Sequence, residues 1–294
     1  MRVLITGGGG TLAKVLAQYL SEQGCYVTLL DNRCIVSEFP TIQADIRDIE
    51  NLGIAMKNQD YVIHAAALHG IHIGKYKDNA FFDVNINGTY NVLKQAVMSG
   101  VKRVIYVGST SVYGISKRRL LKETVFVNEE NKFNPMDIND LCKVQCEQIC
   151  AYFRNNFNLD CINLRVGRFF IDNLIDFNLT KLVGGVDLID VSQAVYKAMT
   201  VKNNKNHTFC ISSKVPFLKE DCARLSYEAD KVIEEYFPGS KSLFFSIEKE
   251  LPKEIHRIVS IERAETELGY KPVFNFDLFL RELELELIER RVLL

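Results

Sequence analysis

The chain has 294 residues, of which 47% are hydrophobic and 25% charged, with a formal net charge of -1. That length and apolar content suit one large domain or two unequal ones. The near-neutral balance excludes a globally basic nucleic-acid binder and an acidic disordered tail. The opening residues MRVLIT run directly into a strand-like segment without a signal-peptide pattern, and no apolar run approaches the roughly 18 residues that span a bilayer. The expectation is a cytoplasmic protein with no membrane and no nucleic-acid partner.

In chain order, the first 165 residues alternate between two hydrophobic periods. Arg2–Thr6 is an apolar run of strand type, and Thr11–Gln23 has helical spacing with Leu12, Val15, Leu16 and Leu20 on one face. Strand-like Tyr26–Asp31 follows, then a short third strand at Thr41–Ala44 and a helix over Ile49–Lys57. Asp60–Ala66 reads as a strand, Phe81–Met98 as a helix, Lys102–Gly108 as a strand, Ile138–Asn156 as a long helix and Asp160–Arg165 as a sixth strand. Nearly all-apolar strands alternating with helices predict a parallel sheet covered on both faces, an α/β Rossmann-type doubly wound arrangement.

Beyond Arg165 the pattern loosens. Asp190 reads as the N-cap of a helix ending near Thr200, and Thr208–Ile211 as a strand. From Ser212 onward the chain reads as helices and loops. One helix ends at Leu268, stopped by Gly269 with Pro272 beyond, and an amphipathic helix closes the chain over Phe276–Arg291. The expected division is a nucleotide-binding domain over residues 1–165, joined by about 186–211, and a small mixed substrate region over 166–185 and 212–294.

Strand Arg2–Thr6 leads into Gly7-Gly8-Gly9-Gly10-Thr11-Leu12-Ala13. Gly7, Gly10 and Ala13 are spaced three apart, which suits a tight turn, a close backbone approach to a pyrophosphate and close helix–strand packing. The following helix N-terminus offers free N–H groups and a positive dipole end to phosphates. Asp31 lies 21 residues beyond Gly10, at the end of the next strand, where a carboxylate accepts from a ribose 2′-hydroxyl. It would repel a 2′-phosphate, so NAD is expected over NADP. Arg33, two residues on, is the feature that keeps NADP open.

Other matches line up along most of the chain. Thr6 with the glycine loop resembles the TGGxGxxG loop of the extended short-chain dehydrogenases/reductases, and ADIRD, HAAA, NINGTYNVL, GSTSVYG, VDLIDVSQAV and ETELGYKP each resemble a further segment of the nucleotide-sugar epimerase/dehydratase members. The resemblance implies a dinucleotide site including Gly7, Gly9, Gly10, Thr11 and Leu12, Asp31 on the ribose, Asp45 and Ile46 at the adenine, and Ala65 and Ala66 beside the cofactor. It implies Ser109, four residues before Tyr113, as the catalytic hydroxyl. It also implies a homodimer packed through the helices near Phe81–Met98 and Ile138–Asn156.

The sequence departs from this family at its Tyr-x-x-x-Lys signature. In PMDINDLCKVQCE, Lys143 fits the lysine and Glu147 the following glutamate, but Asn139 holds the tyrosine position. Positions i and i+4 share a helix face, so the lysine can lower the pKa of a phenol there and hold a ribose hydroxyl. An asparagine amide can position a hydroxyl or water but is no general base near neutral pH. A second departure is Arg168, near a position where the family often has an asparagine touching the substrate diphosphate; a guanidinium suits phosphate.

Several residues carry two readings. His64, His69 and His72 lie beyond the fourth strand, where ligands of parallel sheets bind; His69 and His72 could reach the nicotinamide side or be loop residues, and His64 reads as packed. Ser111 and Tyr113 could touch substrate or cap and pack their turn. Lys117, Arg118, Arg119 and Lys122 form a basic run that either attracts a phosphorylated substrate or is a solvated face. Cys142, Cys146 and Cys150 line one helix face, favoured as a packed stripe over a metal site because no CxxC pair or nearby histidine completes a zinc shell; no metal is expected. The function expected is NAD-linked epimerisation or related redox chemistry on a nucleotide sugar, with Ser109, Lys143 and Asn139 as catalytic residues and Ser111, Arg168 and His69 toward substrate. The alternatives are a catalytically impaired NAD-binding module and a reductase or dehydratase on another small molecule.

Overall fold

The computed structural model describes residues 1–114, 123–170 and 173–292. Seven parallel strands form the central sheet: β1 (Arg2–Thr6), β2 (Tyr26–Asp31), β3 (Thr41–Gln43), β4 (Tyr61–His64), β5 (Arg103–Ser109), β7 (Cys161–Val166) and β8 (Thr208–Ile211), in the order β3-β2-β1-β4-β5-β7-β8. The strand order reverses between β1 and β4, so their carboxyl ends diverge and leave a crevice there. The fold is the doubly wound Rossmann type.

The helices are α1 (Thr11–Glu22), α2 (Ile49–Met56), α3 (Gly88–Met98), α4 (Ile138–Phe157), α5 (Leu174–Thr180) and α6 (Leu188–Thr200), followed by α7 (Cys222–Leu225), α8 (Ala229–Tyr236), α9 (Ser240–Phe245) and α10 (Phe276–Val292). One sheet face packs on α1 and α6, where Leu16, Leu20, Val191 and Val195 meet Ile5, Ile105 and Leu164. The other packs on α2, α3 and α4 through Leu52, Val92, Leu93 and Phe153. Strands covered on both faces explain why their sequences are apolar almost throughout.

Four features differ from the sequence reading. The N-cap of α6 is Asp187, whose side chain accepts from Ile189 N at 2.8 Å. Asp190 is instead buried and accepts from Val273 N at 2.8 Å and Phe274 N at 2.9 Å, fastening the C-terminal segment to α6; burial raises its carboxyl pKa. The helix expected over Phe81–Met98 begins at Asp78 and contains a π turn over Phe82–Asn87. The carbonyl of Asn85 in that turn receives the Thr89 hydroxyl and, at 3.2 Å, the Cys146 thiol. Finally, β6 (Val125–Val127), in a stretch to which the sequence assigned no element, and β9 (Arg257–Val259), where it suggested helices and loops, form a separate parallel pair. Unlike β3, neither of these three-residue strands stands in an alternating strand–helix pattern that would mark it. The C-terminal elements share their own core, with Leu225, Val232, Ile233, Phe244, Phe276 and Phe279 buried together.

A buried ion pair joins the layers beneath the sheet's carboxyl edge. Arg165 of β7 and Glu147 of α4 are 6% and 5% exposed, with the guanidinium Nη2 to carboxylate distance at 2.7 Å. Arg165 Nη1 also donates to the Tyr113 hydroxyl at 2.6 Å and to the Glu129 carbonyl at 3.1 Å. Removing one member leaves a charge without its partner in a medium that cannot solvate it. Glu147→Ala should therefore lower the unfolding free energy by about 3–5 kcal/mol in urea titration, whereas Arg281→Ala, which breaks an exposed pair with Asp277, should cost less than about 1 kcal/mol.

Candidate functional site

β1 ends in a glycine turn because the chain must reverse over the crevice. Gly7 has φ +77, and a Cβ on it would lie 2.8 Å from Ala66 N, so both its conformation and the close approach of the β4 loop require glycine. Gly10 N closes the turn on Gly7 O at 2.9 Å, and Gly10 precedes α1 with no side-chain cap. The first N–H groups of α1 are thus left for an anion. A Cβ on Gly10 would meet only Gly7 O, at 3.1 Å; as Gly10 lines the crevice, a side chain there would stand in it. Ala13 is buried where α1 meets the sheet.

The crevice is a cleft of about 580 Å³. One wall comprises Gly7, Gly9, Gly10, Thr11 and Leu12, with Asp31, Asn32 and Arg33 from the end of β2. Asp45 and Ile46, Ala65–His69, Ile71, His72, Tyr76, Val84, Val107, Phe169 and Phe170 complete the lining. Asp31 is built into the loop: its Oδ2 accepts from Gly9 N at 2.9 Å, and its Oδ1 from Arg33 N at 3.0 Å and Arg33 Nε at 3.2 Å. Asp45 is held by Arg47, with Nη2 2.7 Å from Oδ2, and this pairing keeps its carboxyl below the usual range. A phosphate-sized opening at a helix N-terminus, backed by glycine and followed by an acid at the β2 end, fits a dinucleotide.

His64 does not face the cleft. Its Nδ1 is 2.8 Å from Thr6 Oγ1 and its Nε2 is 2.9 Å from Thr89 Oγ1. The Thr89 hydroxyl donates to Asn85 O, so Nε2 carries the proton and Nδ1 accepts from Thr6. Burial holds this imidazole neutral, its pKa pushed down to about 3.

The residues of the family signature sit at the carboxyl end of β5 and the start of α4. Ser109 closes β5, and its Oγ accepts from Ser111 N at 3.1 Å, capping the turn Thr110–Tyr113. Lys143 is buried, donates from Nζ to Val107 O at 3.0 Å, and lies 5.2 Å from the Tyr106 ring centre; burial lowers its pKa. Asn139 is buried in the first turn of α4. Among the described residues, its Oδ1 and the Ser111 Oγ are buried without a hydrogen-bond partner, which makes both fit to hold a hydroxyl. Tyr113 is a packing residue, its hydroxyl bound by Arg165 and 3.4 Å from Cys210 Sγ. Arg168 is exposed and pairs through its backbone with Gly185.

Thus the structure gathers the expected dinucleotide residues other than Lys143, together with His69, around one cleft, while Ser109, Ser111, Asn139, Arg168 and Lys143, also expected at the cofactor, are absent from its lining. The run Lys117–Lys122 lies outside the described residues. Cys142, Cys146 and Cys150 are buried thiols, with Cys146 bonded to Asn85 O. Sequence reasoning passed over Arg165, whose signal was a charge inside an apolar strand. It also passed over Phe169 and Phe170, an aromatic pair just past the end of β7.

Fold and cleft together define a dinucleotide-binding α/β protein. Residues 3–172 match the model of the NAD dependent epimerase/dehydratase family, and the chain belongs to that family. It is 33% identical over 122 residues to the UDP-N-acetyl-alpha-D-glucosaminuronate decarboxylase of Bacillus cytotoxicus, covering 38% of each chain. It is 27% identical over 180 residues to GDP-mannose 3,5-epimerase of Arabidopsis thaliana, covering 58% of this chain and 46% of that one. The chain therefore matches less than half the length of these curated relatives. Among solved structures, a short-chain dehydrogenase/reductase superfamily protein from Agrobacterium tumefaciens with bound NAD superposes with a TM-score of 0.71 at 16% identity, covering 99% of this chain and 98% of that one. UDP-N-acetylglucosamine 4-epimerase from Bacillus cereus gives 0.70 at 19% identity, covering 98% and 99%. These likenesses establish the fold.

Gly10→Val places a branched side chain in the cleft and should abolish dinucleotide binding in titration calorimetry while the circular dichroism spectrum stays that of the folded protein. Unchanged affinity would show that the loop is not the phosphate site.

Proposed function

We propose that this chain binds NAD in the glycine-loop cleft and uses it in epimerisation or related redox isomerisation of a nucleotide sugar. The observation that carries the reading is one cleft running from Asp31, Asp45 and the glycine loop to Val107 at the carboxyl half of β5, two residues before Ser109. The pyrophosphate would lie on the N–H groups from Gly9 to Leu12, the adenosine ribose on Asp31 and the adenine beside Asp45 and Ile46, with Ala65 and Ala66 against the dinucleotide. Bound NAD supplies a hydride acceptor. Ser109, Ser111 and Asn139 would hold the reacting hydroxyl, Lys143 would fix the nicotinamide end, and Arg168 would meet the substrate diphosphate. Solved relatives of the same fold carry UDP-glucuronic acid or UDP-glucose together with NAD, which supports a uridine nucleotide sugar as the first substrate class to try.

A second reading, an NAD-binding module without turnover, is favoured by one observation. Asn139 stands where the phenol is expected, and the ammonium that would activate a phenol donates to the Val107 carbonyl. Mass spectrometry of nucleotides released on denaturing the purified protein, followed by turnover assays with UDP-glucuronic acid and UDP-N-acetylglucosamine, separates the two readings.

We also read the protein as a cytoplasmic homodimer. Eight free thiols suit a reducing compartment. Tyr90 of α3 and Tyr152 and Phe157 of α4 are 43%, 49% and 47% exposed around the buried Phe153 ring, an aromatic surface on the two helices that a second copy would cover.

The cofactor assignment turns on Asp31. Wild type should bind NAD at least about tenfold tighter than NADP, a difference of about 1.4 kcal/mol, because the carboxylate accepts from a 2′-hydroxyl and repels a 2′-phosphate. Calorimetry with both dinucleotides checks this; tighter NADP binding would transfer the role to the Arg33 guanidinium.

A further inference from the structure

Hydride chemistry at an alcohol needs a group that takes the hydroxyl proton, and Asn139 cannot be that group near neutral pH. The side chains that line the cleft narrow the choice. Asp31 is bound by Gly9 N and Arg33, and Asp45 by Arg47. Both lie toward the adenosine end assigned above. His72 has its Nδ1 occupied by His69 N at 2.8 Å, and Tyr76 is 53% exposed. His69 remains among the residues lining the cleft, close enough to Lys143 for that charge to act on its ring.

Its position is fixed from both sides. The preceding residue is clamped by the buried Asn85, which accepts from Leu68 N at 2.7 Å and donates to Leu68 O at 2.9 Å. Asn85 is in turn tied to α4 by Cys146, three residues from Lys143. On the other side the His69 N–H is held by His72, and the two rings stack with centres 6.1 Å apart. The π turn that carries Asn85 is the device that turns this amide toward the β4 loop, and π turns of this kind recur at functional sites.

We propose that His69 is the acid/base residue of this site, taking the role that Asn139 cannot perform; the inference rests on the nucleotide-sugar redox reading above. As the reacting C–H gives its hydride to the oxidised nicotinamide, the O–H bond on the same carbon breaks. Its proton passes to a ring nitrogen of His69, and C–OH becomes C=O. Return of hydride and proton regenerates the alcohol and the neutral imidazole. Burial, the charge of Lys143 and the neighbouring His72 push the free imidazole's pKa down to about 3, so its ring is uncharged, with one nitrogen lone pair unprotonated, throughout the neutral range.

The test compares wild type with His69→Gln, which keeps a polar side chain without a titrating ring. NAD affinity should stay within about twofold, and single-turnover formation of reduced nicotinamide with UDP-glucuronic acid should fall by about 10²-fold or more. A second readout needs no dinucleotide. In nitrogen-15 histidine spectra, the ring resonance missing from His69→Gln should move when UDP-glucuronic acid binds and stay in place with UDP. Hydride transfer within about threefold of wild type, an unmoved resonance, or loss of the reaction in Tyr76→Phe in place of His69→Gln would each overturn the proposal. Loss of NAD binding in His69→Gln would mark the residue as structural and overturn it as well. Wild type that binds NAD and the sugar nucleotide without hydride transfer would refute the proton role and leave the binding reading standing. Wild type that binds no NAD would refute both.

Discussion

The buried pair between Arg165 and Glu147 is the constraint on which the upper edge of the sheet depends. Neither charge can be solvated where it sits, so each must keep its partner, and the geometry of the pair fixes the geometry of what it connects. Arg165 comes from β7, Glu147 from the third turn of α4, and the Tyr113 hydroxyl from the turn that follows β5. The guanidinium also lies 5.3 Å from the Tyr113 ring centre and 4.8 Å from that of Phe133. Lys143 stands one turn before Glu147 on α4, and Ser109 is four residues before Tyr113. The ion pair therefore sets the distance between the helix that carries Asn139 and Lys143 and the turn that carries Ser109 and Ser111. Planar, forked donors suit this task, because one guanidinium can serve the carboxylate with two nitrogens while its third meets the phenol.

A second network does the same for the other side of the crevice. Thr6 at the end of β1, His64 at the end of β4, Thr89 in the first turn of α3 and Asn85 in the π turn before it form a chain of hydrogen bonds with one proton assignment throughout. Its members are neutral, which lets it lie fully buried without a counter-ion. Asn85 ends the chain and holds Leu68 by both backbone groups, so the loop beyond β4 is positioned by side chains where strand pairing has stopped. That loop carries His69 and closes the cleft. The two networks meet on α4, where Cys146 reaches Asn85 and Glu147, the next residue, reaches Arg165.

The divergence between this chain and its family's usual signature is local. An asparagine in the first turn of a helix changes neither the helix nor the glycine loop, so fold and dinucleotide cleft are kept, and under the proposed function the proton chemistry would fall to another group. His69 lines the same cleft as the glycine loop, which is why the proposal gives it that role. The short segment after β7 contributes Phe169 and Phe170 to the same cleft, their rings 4.8 Å apart, giving it an apolar lining beside the polar one.

Much of this was determined by the sequence alone, wherever a signal was local. The apolar runs of β1, β2, β4 and β5 specify buried parallel strands, the spacing of Gly7, Gly10 and Ala13 specifies a turn that a phosphate can approach, and Asp31 follows at the end of the next strand. Gly269 stops its helix as its neighbours require, because its φ of +65 suits a residue without a side chain. What tertiary structure decided were pairings between residues distant in the chain. Asp190 looks like a helix cap from its neighbours, yet it serves backbone N–H groups at Val273 and Phe274 that no local pattern reveals. The π turn at Phe82–Asn87 carries Asn85 against Leu68 and Cys146, contacts that helix propensity does not reveal. Lys143 is spaced to support a tyrosine, but its ammonium is turned to the Val107 carbonyl by the packing of α4 on β5. Spacing along a helix fixes the face a side chain occupies; the atom it meets there is set by whichever strand or loop the fold brings against that face.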